Sequence, residues 1–338
     1  MILSEGMKEM KNSVREEVLS WISSDETAAD MLSRVSTIRP FSLPPPLHKV
    51  PLRVGNVLEI VGPSPSAKTL ILIQVAINCI LPKHYGGLDH LVLFIDLDSR
   101  FAIMRFSQIL IHRIRVMHPQ PTLESHNGGP DYDHTLYNLC MSRFLYLRCS
   151  NSLEFLQTLK TLNQRLEKEK EVHGLSVHML MIDSIGAFHW VDRASMFLSP
   201  RDNNRKLFLQ SVSEAVVKDI KKLLQVHPML VIATKSVIYG DRYFTGSNEV
   251  KGNFIKDYCE ERFSRNVPRS HQHFQYREYM PSVWQSFVTH RILVHSSDNH
   301  PVASNSQNSS FYLLEWLLPR SSFPEKIIVK DAGVFVDS

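Results

Sequence analysis

The sequence is poor in the features that staple small or secreted proteins together. Its four cysteines, Cys79, Cys140, Cys149 and Cys259, lie far apart and make no C-x-x-C pair; they read as reduced thiols of an intracellular protein, most of them packing groups. No segment approaches the ~18 uninterrupted apolar residues of a membrane span, so no membrane partner is expected. Glu5, Lys8 and Glu9 stand where a secretory signal would need an apolar run. Lys+Arg 38 against Asp+Glu 34 gives a net charge of only +4, so any nucleic-acid surface would have to be local. There is no internal repeat and no long low-complexity tract. Sixteen histidines are scattered along the chain, so the grouping of His271, His273, His290, His295 and His300 is expected by chance and argues little for a metal site.

What remains is an ordinary globular composition. The chain has 338 residues, 43% hydrophobic and 21% charged, enough for one large core or for one domain plus an arm. Met7, Met10, Val14, Val18 and Trp21 recur close to helical spacing and predict an amphipathic helix over 7–22. Ser23 to Asp25 supply a capping signal for a second helix over 26–35. Residues 1–38 thus read as a helical N-terminal arm, either packed on the protein's own core or docked on a partner subunit. The prolines at 40, 44, 45 and 46 exclude helix and predict an extended linker over 39–50.

The core domain is expected over 51–338. Apolar strands at 57–61, 91–96, 143–149, 177–183 and 229–237 alternate with helices at 69–81, 101–117, 153–171 and 205–226, and a Pro/Gly-rich loop fills 118–134. Strands that are apolar throughout and alternate with helices predict a parallel sheet covered on both faces. After a polar stretch the pattern changes to three antiparallel strands, at 290–296, 311–318 and 327–336. The fold class is therefore α/β, a mostly parallel sheet flanked by helices with C-terminal antiparallel strands.

One stretch carries chemistry. Gly62-Pro63-Ser64-Pro65-Ser66-Ala67-Lys68-Thr69 follows an apolar strand and opens a helix, which is the frame of a phosphate-binding loop, G-x-x-x-x-G-K-[ST]. In such a loop backbone N–H groups and a helix N-terminus cradle phosphates, the lysine reaches the terminal phosphates, and the Ser/Thr hydroxyl holds magnesium. Lys68 and Thr69 fit. Pro65 deletes an N–H, and Ala67 stands where the frame has glycine. Losing one charge-assisted hydrogen bond weakens binding by roughly 1.5–3 kcal/mol, or about 10- to 150-fold. ATP with magnesium is thus expected to be weakly bound or absent. Asp183, ending the apolar strand Met179-Leu180-Met181-Ile182, is placed to hold magnesium together with Thr69. Asp96 and Asp98 end another strand at the same carboxyl edge, where open α/β sheets bind ligands; helix capping is the competing explanation for either.

The order of these motifs resembles the RecA-type recombinase core, and within it the eukaryotic recombinase paralogues of DNA repair. The resemblance rests on Cys79-Ile-Leu-Pro-Lys83 with Gly86-Gly87-Leu88, on Val92 to Asp96 with Asp98, Phe101, Met104 and Arg105, and on Ile182-Asp183-Ser184 with Ala187, Phe188, Trp190, Asp192 and Arg193. It continues in Trp284-Gln285, Val288 and His290-Arg291. It spans about 26–338 and is most specific over 79–105. It implies a RecA-like P-loop core in a nuclear protein of homologous recombination. It further implies a subunit of a recombinase-paralogue complex that assists recombinase assembly on single-stranded DNA, with the paralogue designated D as neighbour. Active recombinases have Glu at the water-activating position held here by Asp98, and a phosphate-sensing Gln where this chain has Ser236. With Ala67, these departures imply little or no ATPase activity.

In the resembled fold two loops face DNA, here about 186–204 and 238–281. The second interleaves cations such as Arg242, Lys251, Arg262 and Arg269 with Tyr243, Phe254, Phe263 and Phe274, the means of single-strand binding. Acidic residues such as Asp241, Glu249, Asp257 and Glu261 nearly cancel that charge, so a partly ordered surface insertion is the bland alternative. Two other functions stay open: an active P-loop ATPase, either a DNA-dependent motor or a small-molecule kinase, and a purely structural adaptor without DNA contact.

Overall fold

The computed structural model describes residues 39–117, 133–197, 206–239, 276–296, 310–321 and 324–337. The helices expected at 7–22 and 26–35, Cys259, most of the 118–134 loop and most of 238–281 lie outside them. Among the described residues no helix is long and apolar enough to cross a membrane.

The continuous apolar runs become the strands of one nine-stranded sheet. In chain order they are β1 (Val57–Gly62), β2 (Leu91–Asp96), β3 (Phe144–Arg148), β4 (Val177–Asp183), β5 (Leu230–Ser236), β8 (His290–Ser296), β9 (Ser310–Leu318), β10 (Glu325–Lys330) and β11 (Gly333–Val336). The spatial order is β11-β10-β9-β8-β1-β5-β4-β2-β3. From β3 to β8 neighbours run parallel; β9, β10 and β11 are antiparallel. A separate two-residue ladder joins β6 (Ile238–Tyr239) to β7 (Tyr276–Arg277). The last three expected strands are refined in two ways. The stretch at 327–336 is two strands turning at Asp331-Ala332, and β8 is antiparallel to β9 while lying parallel to β1.

Helices cover both faces of the parallel part because each strand is apolar on both. On one face pack α1 (Lys68–Ile80), α2 (Ile103–Met117) and α3 (His134–Ser142); on the other pack α4 (Ser152–His173), α6 (Lys206–Val226) and the short α7 (Ser282–Phe287). A further helix, α5 (His189–Phe197), stands at the carboxyl edge. Asp133 caps α3 by accepting from Leu136 N–H, and Asn151 caps α4 by accepting from Glu154 N–H. Helix α4 stops at Gly174, whose φ of 63° is the left-handed conformation that glycine reaches without strain. Helices α3, α5 and α7 are additions to the sequence reading.

Residues 39–50 form neither helix nor strand, as their prolines require, yet they are packed on the core. Leu43 and Leu47 are buried with α1. Helix α1 is apolar on nearly every side, and its polar residues Gln74 and Asn78 are satisfied by this stretch together with β11. Gln74 Nε2 donates to Pro45 O (2.8 Å) and Val334 O (2.9 Å), while Asn78 Nδ2 donates to Ser42 O (3.1 Å). Amide side chains thus take the carbonyls of a segment with few N–H groups of its own.

The sheet also encloses charge. Glu59 in mid-β1 is fully buried; its carboxylate accepts from Trp284 Nε1 (2.8 Å) and Arg291 Nε (2.6 Å), and pairs with Lys235 Nζ at 3.1 Å. Lys235, 1% exposed, also binds Glu278 at 2.6 Å. Burial would raise the Glu278 carboxyl, but Lys235 and the Met280 N–H outweigh it and hold it below its ordinary value. Two acids and two bases, from β1, β5, β8 and the turn before α7, neutralise one another. Glu278 and Lys235 sit at the two roots of the segment that leaves after β6 and returns at β7, so the pair clamps those roots together. Replacing Lys235 by Met is expected to lower stability by about 3–5 kcal/mol, because one buried cation shared by two carboxylates is lost. The exposed change Lys330→Ala should stay within about 0.5 kcal/mol. Denaturant midpoints measure both; equal midpoints would contradict the clamp.

Candidate functional site

The phosphate-loop frame lies at the carboxyl edge of the sheet. Strand β1 ends at Gly62, where an added Cβ would collide with the Val294 carbonyl of β8 and with Ser66 Oγ, so only glycine fits. Pro63 and Pro65 both lack an N–H, and the Lys68 N–H is bound to Ser66 O at 2.8 Å. The loop therefore offers fewer backbone donors than its length suggests. Ala67 has φ −67° and ψ 15°. An L-residue adopts that conformation freely, so alanine at this position does not distort the loop.

Lys68 is buried, and its Nζ donates to Gly62 O (2.9 Å), Pro63 O (2.7 Å) and Ser66 Oγ (2.9 Å). Burial lowers its ammonium to about 8, against the opposing pull of Asp183 and Asp98. Thr69 Oγ1 donates to Asp183 Oδ2 at 2.7 Å, and Thr234 Oγ1 donates to Asp183 Oδ1. The Asp183 carboxyl is raised chiefly by burial, and the two hydroxyls oppose that rise. Thr69 and Asp183, the pair expected to hold magnesium, are thus in direct contact. Their oxygens form a hard donor set of the kind magnesium takes beside phosphates. Ser236 ends β5 opposite Gly62, with Val237 N–H donating to Gly62 O (3.1 Å), and its side chain is exposed.

The two acids after β2 separate clearly. Asp96 holds the turn that follows β2, accepting from Ser99 N–H (2.8 Å), Phe101 N–H (3.4 Å) and Tyr146 O–H (2.8 Å); these donors precede α2, so it caps no helix. Asp98 faces the site, its carboxyl raised to about 6 by burial and then by the negative charge of Asp183. An acid with a pKa near 6 lies close to the range in which a general base works. Arg100, one turn further, was not singled out by sequence reasoning. Its Nη1 donates to Ser64 Oγ at 3.0 Å and its Nε lies 3.7 Å from Asp98. No spacing rule pointed to it, because the left-handed Ser99 (φ 59°) that turns the chain there cannot be read from sequence.

The residues predicted for the site, Gly62 to Thr69 with Asp98, Asp183 and Ser236, all lie on one sheet edge. No group of three or more His, Cys, Asp or Glu suited to a metal occurs among the described residues. The raised pKa of Asp98 also fixes a pH dependence. The folded protein binds that proton more tightly than the unfolded chain, so the favourable contribution is complete below about pH 4 and is lost as pH rises through about 6. The shift corresponds to at most about 3 kcal/mol, which screening of a quarter-exposed side chain reduces to about 1–2 kcal/mol. Asp98→Asn should therefore raise the melting temperature at pH 7.5 and flatten the decline between pH 4 and 6. An unchanged profile would contradict the placement of Asp98.

Comparison with known proteins locates the chain among relatives. No protein-family model matches it. It is 47% identical to the DNA repair protein XRCC2 homolog of Arabidopsis thaliana, over 94% of this chain and 89% of that protein. It is 28% identical to the mouse DNA repair protein XRCC2, over 83% of this chain and 84% of that one. The mouse DNA repair protein RAD51 homolog 2 matches at 28% over 39% of this chain and 33% of its own length. With its RecA-like core and phosphate-loop frame, the chain belongs to the XRCC2 family of DNA repair proteins.

Proposed function

We infer that the protein serves double-strand break repair by homologous recombination in the nucleus. In this reading it is a subunit of a recombinase-paralogue complex that assists recombinase assembly on single-stranded DNA. The observation that carries this is the near full-length likeness to a DNA repair protein. The paralogue designated D is the proposed neighbour. ATP with magnesium is a ligand of the Lys68, Thr69 and Asp183 site, bound weakly and turned over slowly. The donor-poor loop, the shorter acid at Asp98 and the serine at 236 support that.

A specific observation favours direct DNA contact over a purely structural adaptor. At the root of the two proposed DNA-facing segments, Trp190 is 46% exposed and packs beside His189 and Tyr279, with ring centroids 4.9 and 5.5 Å away. Arg193 lies 5.6 Å over the Trp190 ring. Gly186 is required there, because a Cβ would collide with the Tyr279 ring. An exposed indole on a rigid aromatic base, with a cation beside it, has the features of a base-stacking platform, a contact worth about 1–3 kcal/mol per base.

Two measurements test the reading. The tagged full chain, expressed in its own cells, should co-purify the recombinase paralogues, the D paralogue foremost; recovery of none would overturn the complex. Oligo(dT) should quench Trp190 fluorescence, with affinity falling steeply with salt and about 5- to 100-fold on Trp190→Ala. Unaltered affinity in that variant would remove the platform.

A further inference from the structure

The phosphate loop has an unusual economy of donors. Two of its residues are prolines, one remaining N–H is turned inward to Ser66 O, and all three protons of the Lys68 ammonium are directed at loop oxygens. The missing donors have a replacement close by. Arg100 reaches across from the turn between β2 and α2 and donates from Nη1 to Ser64 Oγ, 36 residues away in sequence. Arg100 and Lys68 bind hydroxyls two residues apart in the same loop, Ser64 and Ser66, and the charge of Arg100 helps to depress the Lys68 ammonium. The turn that carries Arg100 is itself held. Asp96 accepts from Ser99 and Phe101 N–H, and Arg148 Nε donates to Ser99 Oγ at 2.8 Å. The Asp98 carboxylate, 3.7 Å from Arg100 Nε, is too distant for a strong bond and leaves the guanidinium fork able to take a new partner. Among the described residues Nη2 has no partner.

We propose that Arg100 is a phosphate-binding residue of this site, a side-chain cation that takes over from the backbone N–H groups lost to Pro63 and Pro65. The ligand class is a polyphosphate, as in a nucleoside triphosphate. The inference rests on the nucleotide-binding reading above and deepens it. A guanidinium binds two phosphate oxygens at once through its planar fork, where a backbone donor binds one. On binding, Arg100 exchanges the neutral Ser64 hydroxyl for an anion. Because it contacts phosphate and not base, it contributes equally to adenine and guanine nucleotides. It also contributes to inorganic tripolyphosphate, which carries no base.

The test is equilibrium binding of MgATP, MgGTP and inorganic tripolyphosphate to the full chain, compared with Arg100→Ala, Arg100→Lys and Lys68→Ala. Arg100→Ala should weaken all three ligands by a similar factor of about 10- to 100-fold, and Arg100→Lys should recover part of that loss. The ligand-free melting temperature should be nearly unchanged, since the side chain is 67% exposed. Wild-type affinity in Arg100→Ala, together with lost affinity in Lys68→Ala, overturns the role of Arg100 and leaves the nucleotide site standing. A loss confined to ATP, or a fall in ligand-free stability that accounts for it, overturns phosphate contact in favour of a merely structural residue. No binding of any ligand by the unaltered chain overturns both the proposal and the site.

Discussion

The structure turns on the carboxylate of Asp183. It ends β4, accepts the hydroxyl of Thr69 from the first turn of α1, and accepts the hydroxyl of Thr234 from β5. Three elements far apart in sequence are thus held by one acid at the carboxyl edge. This fixes the start of α1, and with it the position of Lys68 and the loop wrapped around it. A carboxylate raised by burial and held by two neutral hydroxyls is poised to accept a cation, which would relieve the same desolvation. The contact therefore organises the fold whether or not a nucleotide is present.

Much of this was legible because it depends on residue type and spacing. Buried parallel strands are apolar on both faces, so β1, β2, β4 and β5 stand out as runs such as Leu91 to Asp96. The phosphate-loop frame marks itself with Gly62, Lys68 and Thr69, and the acid at the end of β4 is visible as Asp183. What escaped depends on geometry. Helices α3, α5 and α7 are short and partly polar, and propensity alone does not separate them from loops. The turn between β10 and β11 is marked only by Lys330 to Gly333, a short polar break inside an otherwise apolar stretch. The packing of residues 39–50 rests on carbonyl bonds from Gln74 and Asn78, which leave no periodic trace. Asp96 and Asp98 look equivalent in sequence, and only the bonds to Ser99, Phe101 and Tyr146 show that Asp96 holds the turn while Asp98 faces the site.

The buried charges teach the same lesson. Glu59 sits in mid-strand and Lys235 near the end of an otherwise apolar strand, each an anomaly by burial statistics. Parallel pairing puts Glu59 opposite Arg291, while Lys235 and Trp284 complete the shell. Trp284 and Arg291 are among the residues that carried the family resemblance, and their physical task is to satisfy one buried acid. Lys235 adds the link to Glu278, which brings the roots of the 240–275 segment together beneath Tyr279. The proposed nucleotide site and the proposed DNA platform therefore share strand β5 as a common support.

The central claim is that the recombinase scaffold is retained here while fast hydrolysis is not. The most direct measurement is the identity and turnover of nucleotide in the purified complex. Nucleotide released by denaturation would be separated by chromatography, and hydrolysis of added MgATP followed with and without single-stranded DNA. The account predicts little retained nucleotide and a weak ATP affinity that Lys68→Ala abolishes, with turnover well below the about 1 s⁻¹ of slow ordinary enzymes. Hydrolysis at or above that rate, stimulated by DNA and lost in Lys68→Ala, would contradict it.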